Sequence, residues 1–228
     1  KTALIWAASN GQTTCTQLLV DARADLEMKS RSGWSALLWA AFGDHPACLK
    51  ILVEAKANLE SVDLVHKTAL NWAVLRGQTE CARMLIDAKA NVNAHAHAEW
   101  TILMWATING HADCVQLLID AKAHIHINDS EGRTALIWAA ANGRKACAQL
   151  LLDANADIRV KTKHGWTALI SAAMEGCTEP LQLLMDAGAN IQDQDNDGRT
   201  PLMWAALRGH AACVELLIDA KADVEVET

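Results

Sequence analysis

The side chains of this 228-residue chain that could do chemistry are histidines, cysteines, tryptophans and the charges beside them. His95-Ala-His97 and His124-Ile-His126 are the candidate zinc ligands. Four imidazoles would have to converge within about 2.1 Å of one ion, yet the two pairs fall at different offsets in successive loops. They read as loop histidines, and no metal is expected. Cys15, Cys48, Cys81, Cys114, Cys147 and Cys213 recur every 33 residues, with Pro180 in the one gap. Equivalent points on packed neighbouring helices lie about 10 Å apart, too far for a disulfide. These cysteines therefore read as small buried apolar residues of a reducing compartment, cytosol or nucleus. Cys177 stands off the grid, and no base or cation is placed beside it in sequence to lower its pKa. There is no phosphate-cradling GxxxxGK[ST], no HExxH, no GxSxG and no CxxC pair. Neither catalysis nor a cofactor is expected.

Tryptophan falls into two sets. Trp6, Trp39, Trp72, Trp105, Trp138 and Trp204 share a second 33-residue grid, broken only at Ser171. A periodic aromatic of this kind reads as scaffold, packed against the next repeat. Trp34, Trp100 and Trp166 instead alternate with Lys1, Lys67, Arg133 and Arg199 at one repeat position. Two readings follow: a cation–π ladder, each cation lying on a neighbouring Trp face, or three aromatic anchors for a partner.

A strict period between 20 and 50 residues is the signature of a stacked array. Thr2, Ser35, Thr68, Thr101, Thr134, Thr167 and Thr200 are N-caps for a short inner helix, with Pro201 suited to a first turn. Asn109-Gly110 ends one such helix, and a second helix begins near residue 112, where Pro46 and Pro180 mark equivalent first turns. Cys114, Leu117, Leu118 and Ala121 give it an apolar stripe at i, i+3, i+4 and i+7. Lys122 to Gly132 reads as a loop or short hairpin.

Thr-Ala-Leu-x-Trp-Ala-Ala, Asn-Gly-His and Leu-Leu-Ile-Asp-Ala-Lys-Ala in register resemble the ankyrin repeat, and the resemblance covers the whole chain. Seven units begin at Lys1, Trp34, Lys67, Trp100, Arg133, Trp166 and Arg199. The resemblance implies an all-α solenoid of stacked helix-turn-helix units with hairpin loops, one domain over residues 1–228. The family's Pro survives only at Pro201, and its Gly after the second helix only at Gly188. Its His is replaced by Ile5, Leu38, Asn71, Met104, Ile137, Ile170 and Met203, so the bond that His would make to the turn is expected to be missing from at least six units. The sixth unit, lacking both grid residues, is expected to be the softest, over residues 166–188. A last helix as apolar as the interior copies, and a first unit only slightly more polar at Thr13, Thr14 and Thr16, suggest a piece of a longer protein.

A net charge of −7 does not favour nucleic acid, and no apolar run is long enough for a membrane span. The ladder Asp21, Glu54, Asp87, Asp120, Asp153, Asp186 and Asp219 reads as a solvated outer face. In the resembled family, inner helices and hairpin tips line a concave groove that holds partners. Carried over, the contact residues are Trp34, Trp100 and Trp166, an apolar stripe of Phe42, Leu75, Ile108, Met174 and Leu207, and the polar Arg76 and Arg208. The function expected is a non-catalytic, monomeric interaction module for a protein or peptide. The alternative is a regulatory or targeting segment of a larger enzyme or channel.

Overall fold

The computed structural model describes residues 1–93 and 100–227, which leaves His95 and His97 outside the described residues. Among these residues fourteen helices follow one another as short inner and longer outer partners. They are α1 (Ala3–Ser9) and α2 (Thr13–Asp21), α3 (Ala36–Phe42) and α4 (Pro46–Glu54), α5 (Ala69–Leu75) and α6 (Thr79–Asp87), and α7 (Ile102–Asn109) and α8 (Ala112–Asp120). Then come α9 (Ala135–Ala141) and α10 (Lys145–Asp153), α11 (Ala168–Glu175) and α12 (Thr178–Asp186), and α13 (Pro201–Arg208) and α14 (Ala211–Asp219).

Each inner helix starts at its expected cap. The hydroxyls of Thr2, Ser35, Thr68, Thr101, Thr134, Thr167 and Thr200 accept the N–H three residues on at 3.2–3.4 Å. That bond satisfies one of the four donors a helix start leaves open. Asn71 does what the absent histidines do not: its Oδ1 accepts from both the N–H and the hydroxyl of Thr68 at 2.9 Å.

Two compact units result, residues Lys1–Ala106 with Gln116–Ala123, and Thr107–Val115 with His124–Thr228. In the first, α1, α3 and α5 pack side by side as an inner row, and α2, α4 and α6 as an outer row. In the second, α9, α11 and α13 form the inner row and α10, α12 and α14 the outer. Small residues let the inner rows approach closely: Ala8, Ala40, Ala41, Ala73, Ala139, Ala140, Ala172, Ala173 and Ala205 are buried at 0% exposure. The outer-helix stripe is narrower than expected. Cys114, Val115 and Leu118 are fully buried, whereas Leu117 and Ala121 stay half-exposed. Of the grid cysteines, Cys15 is the exposed exception.

Every outer helix ends in a left-handed residue. Arg23, Lys56, Lys89, Lys122, Asn155 and Lys221 take φ between 59° and 72° where Gly188 has 84°. The departures from glycine are thus real backbone strain, about 1 kcal/mol each for a residue bearing a Cβ. A nearby cation at a helix C-terminus offsets part of it.

The α11–α12 pair is packed where it lacks its grid residues. Ser171 is buried and its hydroxyl donates to the Thr167 carbonyl at 2.9 Å. Ile170, Met174 and Trp204 form one buried cluster with Trp166 against it.

Candidate partner-binding face

The inner-row face of the first unit is built on Trp34. Its ring centroid lies 4.7 Å from Trp39, 5.0 Å from Trp72 and 5.0 Å from Phe42, with Phe42 edge-on at 82°. Tilted and T-shaped contacts suit the ring quadrupoles. Lys1 sits 3.6 Å above Trp39 and 4.5 Å from Trp6, while Arg76 lies 4.7 Å from Phe42. Lys67 lies 5.7 Å from Trp72 and 5.4 Å from Trp105, the latter stacked on Trp100 at 4.7 Å. Trp6 is 57% exposed, whereas Trp34, Trp39, Trp72, Trp100 and Trp105 are half-buried, so these rings are packed and also reach the surface.

The second unit repeats the theme with different pairing. Arg133 lies 4.0 Å above Trp138 and donates from Nε to Asp129 Oδ2 at 2.8 Å. Arg199 and Arg208 flank Trp204 at 5.1 and 5.9 Å. Trp166 meets Trp204 at 6.0 Å, edge-on, and His164 at 4.9 Å.

The cation–π contacts therefore exist, but on different rings from those expected. The cations lie over the inner-helix tryptophans because Lys1, Lys67, Arg133 and Arg199 each precede an inner helix whose own Trp is five residues on. Trp34, Trp100 and Trp166 instead stack on those same inner-helix rings or their neighbours. Among the contact residues expected, Leu207 is 66% exposed, Arg76 and Arg208 are exposed, and Phe42, Leu75 and Ile108 are half-buried. Met174 is a correction. It is 8% exposed, buried with Ile170 and Trp204 in a cluster against which Trp166 packs, and so offers little surface to a partner.

The sequence reading missed the residues that aim the rings. Asp63, Asp129 and Asp195 are buried to 3–8% exposure in the segments joining the pairs. Asp63 Oδ1 accepts from the N–H of Val65 and Lys67, and its Oδ2 from Trp72 Nε1 at 2.9 Å. Asp129 holds Trp138 Nε1 at 3.1 Å, and Asp195 holds Trp204 Nε1 at 2.8 Å, with the same pair of backbone donors on Oδ1. Burial works against ionisation of Asp195. Donors from Arg199 N–H, Trp204 and Asp197 N–H, with the Arg199 charge, overcome it and hold the carboxyl below its usual range. The signal was present: an acid every 66 residues, four before a cation and nine before a Trp. Ser30 and Thr162 stand at that place in the alternate units, and the Nε1 of Trp39 is buried without a hydrogen-bond partner.

Burial, then Asp44, pushes the Cys81 thiol up to about 12. Cys177 is also raised, chiefly by burial and by Glu175. His124 and His126 are exposed, and among the described residues no group of three or more His, Cys, Asp or Glu could hold a metal ion. Nor is any described helix long and apolar enough to cross a membrane.

A family model described as ankyrin repeats, in three copies, matches residues 4–96, 90–162 and 155–228. The chain belongs to the ankyrin repeat family. Its ankyrin fold is similar to the ankyrin repeat domain of Bcl-3, a member of the IkappaB protein family, at 26% identity and a TM-score of 0.83, covering 96% of this chain and 98% of that one. It is likewise similar to the human ASB11 ankyrin repeat domain, at 25% identity and a TM-score of 0.86, covering 99% and 100%. No curated protein sequence matches it. Ankyrin repeat domains are in general protein–protein interaction modules.

Proposed function

We propose that this ankyrin chain holds a protein or peptide against its inner-helix face, without making or breaking a bond. The observation that carries this reading is the array of half-buried rings capped by cations. Tryptophan and arginine dominate binding hot spots because they offer large contact area with a polar handle. Rings locked by stacking and by Asp63, Asp129 and Asp195 are already ordered, so less side-chain freedom is lost on docking. The contacts assigned are Trp34, Trp100, Trp166, Phe42, Leu75, Ile108, Leu207, Arg76 and Arg208.

The test is quantitative mass spectrometry of proteins retained by the parent chain and by a Leu75→Arg/Leu207→Arg variant of unchanged melting temperature. Selective loss of retained proteins supports the reading. Identical retention by both chains places binding elsewhere and overturns it.

A further inference from the structure

We propose that the inner-helix face of the first unit docks an acidic peptide segment, whose carboxylates meet Lys1, Lys67 and Arg76 on the sides turned away from the aromatic rings. This rests on the interaction reading above and names the chemistry of the partner.

Charge complementarity selects the partner. The chain carries seven more acidic than basic side chains, yet α1, α3 and α5 contain no Asp or Glu. Three cations gather on this face. Lys1 and Arg76 are exposed and Lys67 is half-buried. Among the described residues, none of the three forms an ion pair with a carboxylate. Asp63 does not serve them, since its two oxygens are taken by backbone N–H groups and by Trp72. The second unit differs: Arg133 is closed off by Asp129 at 2.8 Å and Arg199 by Asp197 at 3.0 Å.

A cation resting on a ring face keeps its outward N–H donors open. Arg76, 4.7 Å from the Phe42 ring centroid, carries the planar fork that takes a carboxylate in two parallel bonds. The rings beside it, Trp34, Trp39 and Phe42, supply apolar contact for side chains flanking the acids. A nucleic acid strand would also stack on such rings. Three cations are few for a polyphosphate, however, whose binding needs a larger clustered basic surface. A peptide with a few carboxylates between apolar residues fits both the charge and the surface.

Random dodecapeptides displayed on phage and selected on the whole chain provide the test. The expected result is enrichment of Asp and Glu between apolar residues. Affinity should fall at least about fivefold in a Lys67→Gln/Arg76→Gln variant, weaken with added salt, and stay unchanged in Lys50→Gln, on the outer helix α4. Enriched peptides without acidic excess that are nevertheless lost on Leu75→Arg would overturn the acidic assignment and leave the interaction face standing. Peptides indifferent to every variant, or no enrichment, would overturn both. Tighter binding of a labelled twelve-nucleotide single-stranded RNA than of any peptide would overturn the peptide assignment.

Discussion

Trp39 and Trp72 occupy equivalent places and differ in the fate of one hydrogen. Trp72 Nε1 donates to Asp63, whereas Trp39 Nε1 is buried with no acceptor because Ser30 stands where the acid would be. An unsatisfied buried donor costs about 1–3 kcal/mol. Ser30→Asp should therefore raise stability by about 1 kcal/mol, read as a higher melting temperature. An unchanged or lower value would show that Trp39 gains no acceptor from it. Asp195 gives a pH-dependent counterpart. Its folded pKa lies below the unfolded value of about 3.9. Its contribution is then complete above that value and is lost as pH falls through the folded pKa. Asp195→Asn should destabilise the protein at pH 7 by about 1–3 kcal/mol and flatten the acid limb of stability below about pH 4. Denaturant titrations between pH 2 and 7 would check both. At this scale the sequence named the cations of the ladder but attached them to the wrong rings. Repetition shows which residues are equivalent, and it does not show which side chain a flexible Lys or Arg will meet. The buried acids escaped notice because a polar residue in a loop looks solvated until its donors are counted.

At the scale of elements, caps and boundaries were the most legible features. A hydroxyl residue before an apolar run has one local solution, and all seven such residues adopt it. The left-handed ends were legible as a conditional cost, and the backbone now supplies the condition. Lys89 has φ of 72°, and a Cβ built on Gly188 meets nothing within 4 Å. The difference between the two positions is thus conformational strain rather than space. Lys89→Gly should stabilise by about 0.5–1 kcal/mol, and Gly188→Lys should destabilise by a similar amount. Denaturant midpoints of the pair should move in opposite directions. Equal signs would exclude backbone strain as the cause. The burial of Met174 was not legible, because it depends on rings from other elements, Trp204 and Trp166, closing over it.

For the whole molecule, the 33-residue period was enough to name the architecture, since only stacking buries the stripes that each unit leaves open. It was not enough to find the buried acids, because they recur at twice the period. Deleting residues 34–66 removes one unit and sets Lys1 in register one step before Lys67, with no Trp34 ring between them. Deleting residues 67–132 removes two units and rejoins like to like. If neighbour contacts govern stability, the longer deletion should retain more stability per remaining residue, and calorimetry of both chains would show it. The tryptophan–acid alternation thus gives the sequence a parity: units should exchange in pairs, and a single added or lost unit should put everything downstream out of step.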